Sequence, residues 1–110
     1  MTTLDVTTSE APDGVVVALS GELDLATAPK LEDALKRVEQ DEPGVVYLDL
    51  RGLAFMDSSG LRSVLSADAR ARDAGRRVVL VRGDQRVQRV LSITRLDERL
   101  EIVEEPPASG

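Results

Sequence analysis

The 110-residue chain contains no cysteine and no histidine. Without cysteine it has no disulfide, no thiolate nucleophile and no cysteine metal ligand. Without histidine it cannot assemble a Ser-His-Asp triad or offer zinc its commonest nitrogen ligand. Aromatic residues are limited to Tyr47 and Phe55, so an interior must be built from valine, leucine, isoleucine and alanine. We therefore expect a folded protein that is not an enzyme and that has no metal site built on cysteine or histidine.

Long apolar runs and an excess of positive charge are missing as well. The longest purely apolar run spans residues 15–19, far short of the roughly 20 residues of a membrane helix. Residues 1–5 lack the basic and apolar regions of a signal peptide. With 20 acidic against 14 basic residues the net charge is −6, which disfavours direct binding to nucleic acid or to anionic lipid. We expect a cytoplasmic protein that makes no membrane contact.

The amino-terminal part of the chain has the pattern of two β-strands. Apolar and polar residues alternate over residues 4–8, which indicates a half-buried edge strand. The turn residues 11–14 separate it from the apolar run 15–19, which we predict to be a strand covered on both faces. The two strands are expected to form an antiparallel hairpin.

Three helices are predicted downstream from apolar residues spaced at i, i+3, i+4 and i+7. We place their starts at Thr27, at Asp57 and at Gly83-Asp84, with Thr27 and Asp57 as N-caps. Between the helices lie apolar strands at residues 45–50 and 78–81, a connection at 51–56, and a short final strand or helix near 100–103.

The resulting order, β-β-α-β-α-β-α with a small final element, is that of a single α/β domain with a mixed sheet of four to five strands. Right-handed crossovers make the strands at 15–19, 45–50 and 78–81 parallel, with their carboxyl ends at one edge. That edge is expected to carry the loops 21–27, 51–58 and 82–84, where sites in α/β sheets usually lie. Asp24 and Ser58 are then neighbours in space. We expect the domain to span residues 1–104 and residues 105–110 to form a flexible tail.

The segment Asp57-Ser58-Ser59-Gly60 has the chemistry of a helix start. A phosphate on a serine of the first turn would meet the positive end of the helix dipole and would add about −1.5 to −2 charge at pH 7. Gly60 leaves room for another backbone to approach closely. The alternative interpretation is a helix cap with no further role, because Asp or Ser followed by small residues is a common helix start.

Two motifs on this topology carry a family resemblance. The segment Phe55-Met56-Asp57-Ser58-Ser59-Gly60-Leu61 follows a predicted strand, and Leu19-Ser20-Gly21-Glu22-Leu23-Asp24 precedes the first predicted helix. With this pair of motifs, the chain resembles the STAS-domain anti-sigma factor antagonists over residues 4–104.

The resemblance implies a phosphorylation switch at Ser58. In that family a partner anti-sigma factor with serine kinase activity phosphorylates the first serine of the motif with ATP, and a serine phosphatase reverses the reaction. The unphosphorylated antagonist binds the anti-sigma factor and so releases a sigma factor for transcription. ATP and Mg²⁺ belong to the kinase, which leaves this chain without a cofactor.

Several interpretations stay open at the level of the sequence. Asp24, Asp57, Ser59 and Gly60 are candidate contacts to the partner or kinase, although Asp24 is equally a turn or cap residue and Ser59 is a rival phosphoacceptor. Phe55-Met56 is read as core or loop anchor rather than as a binding patch. One alternative function is a STAS subunit of a transporter or lipid-trafficking complex without the switch. Another, an enzyme with Ser58 as nucleophile, is disfavoured by the missing histidine.

Overall fold

The computed structural model describes residues 2–108. Met1, the first residue of the predicted domain, and Ser109 and Gly110, the end of the predicted tail, lie outside the described residues. Within residues 2–108 the chain forms five strands and three α-helices, with a short 3-10 turn, Leu96–Glu98, before the last strand. In chain order they are β1 (Leu4–Ala11), β2 (Gly14–Leu23), α1 (Ala28–Glu39), β3 (Val45–Met56), α2 (Ser58–Asp73), β4 (Arg77–Val81), α3 (Gln85–Ile93) and β5 (Glu101–Val103).

The sheet confirms the predicted α/β class and its mixed strand directions. Its order is β1-β2-β3-β4-β5. β1 pairs with β2 in antiparallel register from Leu4 opposite Gly21 to Ala11 opposite Gly14, which is the predicted hairpin. The pairs β2–β3, β3–β4 and β4–β5 are all parallel. The final element, left open as strand or helix, is a strand.

All three helices pack on the same face of this sheet. The strands β2 to β5 follow one another in sequence order across the sheet, so right-handed crossovers place every connecting helix on one side. The helix residues Leu35, Val64 and Leu91 accordingly share one core cluster with alternate strand residues such as Leu48 and Leu80. No helix of residues 2–108 lies on the second face. Val16 and Val17, on opposite faces of β2, are nevertheless both buried, so this part of the predicted strand is covered on both faces.

Side chains of the sheet itself cover much of that second face. Val79 is 1% exposed, and its register neighbours are Tyr47 on β3 and Glu101 on β5. The Glu101 carboxylate pairs with Arg77, and the Tyr47 hydroxyl donates to the Asp13 carboxylate at 3.0 Å. Long polar side chains thus shield apolar strand residues without a second helical layer.

Strand β3 is longer than the sequence predicts, because residues 51–56 are strand and not a connection. Two register shifts against β2 each give β3 one extra residue, as in β-bulges. Leu50, Leu53 and Met56 are consequently all buried although they lie three residues apart. A spacing of three breaks the alternation by which a strand is recognised, which explains the error.

The extension changes which loops meet at the carboxyl edge. β4 ends at Val81, whose partner on β3 is Asp49. β2 and β3 continue beyond this point to Leu23 and Met56, with β1 still paired to β2 as far as Gly21. The loop 82–84 lies beside Leu50, whose carbonyl oxygen is 3.0 Å from the position of a Cβ on Gly83. Two of the three loops predicted at this edge share it, and the third lies farther back.

Candidate functional site

The ends of β2 and β3 bring the two sequence motifs together. Leu23 and Met56 form the last pair between β2 and β3, and the Asp57 N–H donates to the Leu23 carbonyl at 3.2 Å. The loop that begins at Asp24 and the helix that begins at Ser58 therefore start side by side. The predicted proximity of these two residues is confirmed.

Asp57 caps α2 as predicted. Its backbone is extended, with φ −108° and ψ −170°, and its Oδ1 accepts the N–H groups of Ser59 at 2.9 Å and Gly60 at 3.1 Å. Such a cap stabilises a helix by about 1 kcal/mol. The start of α2 is thus fixed by Asp57 and does not depend on either serine hydroxyl.

The two serines differ in accessibility. Ser58 is exposed, and its hydroxyl makes no hydrogen bond with any other described residue, whereas Ser59 is half-buried. The Ser59 carbonyl also accepts the Ser63 hydroxyl at 3.4 Å. Of the pair, Ser58 is the hydroxyl that a protein approaching from solvent reaches first.

Gly60 is buried and faces β2. A Cβ at this position would lie 2.6 Å from Leu23 Cγ and 3.0 Å from the Leu23 carbonyl oxygen. The backbone that approaches Gly60 belongs to this chain, so the glycine lets α2 start against the end of β2. Gly60 therefore has an internal packing role. This role explains the glycine without any contact between its backbone and a partner.

Asp24 organises the loop before α1. Its Oδ1 accepts the N–H groups of Ala26 at 3.0 Å and Thr27 at 3.1 Å, and its carbonyl accepts the Ala28 N–H at 2.8 Å. Thr27 holds the N-cap position, but its side chain makes no cap hydrogen bond; its hydroxyl donates to the Glu22 carbonyl at 2.8 Å. Thr27 is thus the N-cap residue of α1 as predicted, but its side chain does not cap the helix.

The Asp24 carboxylate remains charged at this edge. Desolvation raises its pKa, but the hydrogen bonds donated by the backbone and hydroxyl of Thr27, the hydroxyl of Thr2 and the backbone of Ala26 outweigh that effect and hold the pKa below its ordinary value. Asp24 and Asp57 thus place two carboxylates on either side of the last β2–β3 pair.

Two apolar side chains are exposed at the same edge. Leu25 is 76% exposed and Phe55 is 47% exposed, whereas Met56 is 3% exposed. The interpretation of Phe55-Met56 as core is right for Met56 and wrong for Phe55. Leu25 escaped the sequence analysis because it stands in a loop outside any apolar periodicity. A third exposed residue of this kind, Ile93 at 73%, ends α3.

No group of three or more aspartate, glutamate, histidine or cysteine side chains within residues 2–108 is arranged to hold a metal ion. No helix in that range is long and apolar enough to cross a membrane. The site consists of the exposed Ser58 hydroxyl, the carboxylates of Asp24 and Asp57, and an apolar rim formed by Leu25 and Phe55. This arrangement is suited to binding and to modification.

Together, the one-sided sheet and this edge define a small α/β domain that displays a serine at a helix start. Comparison with known proteins places it more closely: a family model described as Mlab, STAS domain matches residues 6–104. The chain belongs to the STAS-domain family.

Its relatives include an anti-sigma-B factor antagonist of Listeria monocytogenes, 33% identical over 90 residues that cover 82% of this chain and 79% of the relative. A crystal structure of an anti-sigma factor antagonist from Mycobacterium paratuberculosis superposes with a TM-score of 0.81 at 27% identity, over 94% of this chain and 87% of that one. The Bacillus cell fate determinant SpoIIAA in its phosphorylated form has the same fold, with a TM-score of 0.71 at 21% identity over 92% and 93% of the two chains.

Proposed function

We propose that this chain is an anti-sigma factor antagonist that is switched by phosphorylation of Ser58. In the unphosphorylated state it binds an anti-sigma factor of the serine-kinase type and so releases a sigma factor for transcription. The observation that carries the proposal is the exposed hydroxyl of Ser58, which has no hydrogen-bond partner within residues 2–108 and lies at a helix start that Asp57 already caps. The names of the curated relatives support the same function.

The transfer step needs only the hydroxyl from this chain. A bond forms between Ser58 Oγ and the γ-phosphorus of ATP, the bond from that phosphorus to the ADP oxygen breaks, and the hydroxyl proton passes to a base on the kinase. ATP and Mg²⁺ are held by the partner. The antagonist's own contribution is to present Ser58 on a rigid helix start where an active site can enclose it.

The switch follows from local electrostatics. Phosphorylation adds about −1.5 to −2 charge at pH 7 beside the carboxylates of Asp24 and Asp57. A partner surface that fits the neutral hydroxyl must then accommodate a bulky dianion, and like charges brought together at an interface cost several kcal/mol. The fold is retained, because neither the core nor the α2 cap uses the Ser58 side chain.

The apolar rim supplies binding energy to the same interface. Leu25 lies two residues beyond Leu23, and Phe55 immediately precedes Met56, so both flank the last β2–β3 pair. Exposed apolar side chains beside a functional group mark interaction sites, because a partner that covers them removes apolar surface from water. We propose that Asp24, Asp57 and Ser59 contribute polar contacts around these two anchors.

Further parts of the proposal concern the whole chain. The STAS domain extends to residue 104, and residues 105–108 lie outside it. The protein acts in the bacterial cytoplasm, without enzymatic activity of its own, and a serine phosphatase regenerates the active form.

The experiment is phosphorylation by a purified anti-sigma factor of the serine-kinase type with ATP, followed by intact-mass analysis and site mapping. We expect one phosphoryl group, on Ser58, in the wild-type chain and in Ser59→Ala, and none in Ser58→Ala. Phosphorylation confined to Ser59 would overturn the assignment. Failure of the unmodified chain to bind any such anti-sigma factor would favour the alternative of a STAS subunit in a transporter or lipid-trafficking complex.

A further inference from the structure

The phosphate proposed on Ser58 lies in a negative environment. Asp57 Oδ1 already accepts the N–H groups of Ser59 and Gly60, so the positive end of the α2 dipole is largely satisfied before modification. Asp24, in the adjacent loop, keeps a lowered pKa and stays ionised. The expectation that the helix dipole receives the phosphate is therefore too simple. A dianion at this position would be further stabilised by a nearby cation.

The α2 helix offers one cation at the required spacing. Arg62 is four residues beyond Ser58 and is the one basic residue in the first two turns of α2. Side chains at i and i+4 lie on the same side of a helix, about 5–6 Å apart at their Cβ atoms. An acidic group at i with a basic group at i+4 is the favourable order, because it also complements the helix dipole.

Burial along α2 supports the same alignment. The helix buries Gly60, Leu61, Ser63 and Val64, while Ser58 and Arg62 are both exposed. The two side chains therefore share the solvent-facing stripe of the helix, with no core residue between them.

Arg62 also has no competing ion pair in the part of the chain that the structure describes. The side-chain ion pairs within residues 2–108 engage other arginines, namely Arg51, Arg70, Arg72, Arg77 and Arg82. Its guanidinium is free to turn toward position 58, and its planar donors match the oxygens of a phosphate.

We infer that Arg62 is the internal counter-ion of phosphorylated Ser58. This ion pair strengthens the switch. Modification adds a dianion and at the same time neutralises the positive charge that Arg62 presents to the partner in the unmodified state. The inference rests on the proposed function in that Ser58 is taken as the modified residue. It makes Arg62 a positioning residue for the phosphorylated state and gives it no part in the transfer step.

The test is a ³¹P NMR titration of the full chain carrying phosphoserine at position 58, installed by codon suppression. A free phosphoserine has its second pKa near 6. We expect Arg62→Gln to raise the pKa of the phosphate by about 0.3 unit, a twofold change in proton affinity, since an exposed i, i+4 ion pair is lost. Arg62→Lys should restore most of the difference.

Lys30→Gln is the matched control, because Lys30 is another exposed cation, in the first turn of the neighbouring helix α1. A phosphate pKa that is identical in the wild type and in Arg62→Gln would overturn the pair, as would an equal shift in Lys30→Gln. The titration needs no kinase, so its failure is separate from a failure of the phosphorylation assay, which bears on the proposed function alone.

Discussion

The starts of α2 and α3 share one capping geometry and differ in the residues that follow. Asp57 Oδ1 accepts from Ser59 and Gly60 at 2.9 and 3.1 Å, and Asp84 Oδ1 accepts from Arg86 and Val87 at 2.9 and 3.2 Å. Both helices follow parallel strands of the same sheet. A helix start capped by aspartate in this fold therefore does not require serine or glycine after the cap.

The residues after each cap show the difference in use. At α3 the third helical residue is Val87, fully buried in the core, as expected of a helix start that serves packing. At α2 the same position holds Gly60, and the first position holds the exposed Ser58. Glycine disfavours a helix by about 1 kcal/mol relative to alanine. Packing against Leu23 accounts for Gly60, so the exposed Ser58 is the residue of this start that packing does not explain.

The largest effect is expected from Gly60→Ala. The new Cβ would lie 2.6 Å from Leu23 Cγ, and Leu23 is fully buried, so the neighbour cannot move aside freely. We expect a loss of about 1–3 kcal/mol in the free energy of unfolding, measured by urea denaturation. Ser58→Ala, two residues away and exposed, serves as control and should change stability by less than about 0.5 kcal/mol. A stabilised Gly60→Ala would show that helix propensity outweighs packing here.

The second effect concerns binding. It compares two exposed apolar residues, Leu25 in the loop before α1 and Ile93 at the end of α3. Leu25→Ala should weaken binding of the anti-sigma factor by about 1–2 kcal/mol, or roughly 5- to 30-fold, since an anchor beside Ser58 is removed. Ile93→Ala, at the end of α3, is the matched control and should leave the affinity unchanged. Isothermal titration calorimetry measures both. Equal losses at the two positions would remove the apolar rim from the interface.

The third prediction concerns the two caps themselves. Asp57→Ala and Asp84→Ala should each lower the free energy of unfolding by about 1 kcal/mol, because each removes the acceptor for two backbone N–H groups. In a kinase assay Asp57→Ala should slow modification of Ser58 by loosening the start of α2, whereas Asp84→Ala should leave the rate unchanged. If both variants were phosphorylated at the wild-type rate, the order of the α2 start would not matter to the kinase.

The smallest effect is a pH dependence at Asp24. Its pKa in the folded state is below the ordinary 3.8, so its stabilising contribution is fully present above that value and is lost as the pH falls through the lower, folded-state pKa. Wild type should therefore exceed Asp24→Asn in stability at neutral pH, and the difference should shrink on acidification below about pH 4. Thermal unfolding of the two proteins across this range checks the sign. A difference that grows toward low pH would contradict the hydrogen bonding assigned to Asp24.

Much of the fold is predictable because local patterns and chain topology agree. The hairpin, the three helices, the parallel strands and the Asp57 cap all follow from periodicity and capping chemistry. The extension of β3 does not, because bulges are set by pairing with β2 and they disguise the strand as residues spaced by three. The one-sided helix layer needed the strand order, which no local pattern contains.

The site was predictable in part for the same reason. The proximity of Asp24 and Ser58 follows from parallel strands, but the Thr27 side chain competes between a helix cap and the Glu22 carbonyl, and only the folded loop decides between them. The exposure of Leu25 and Phe55 depends on the tertiary structure, and the sequence pattern does not indicate it. The packing of Gly60 against Leu23 depends on a tertiary contact between residues 37 positions apart in the sequence.

The central claim is tested most directly by the affinity of a serine-kinase anti-sigma factor for this chain with and without phosphate on Ser58. The account predicts tight binding of the unmodified chain and of Ser58→Ala, at least about a tenfold loss on phosphorylation, and an unchanged circular dichroism spectrum. Equal affinity of the two forms, or a fold that melts on modification, would contradict it.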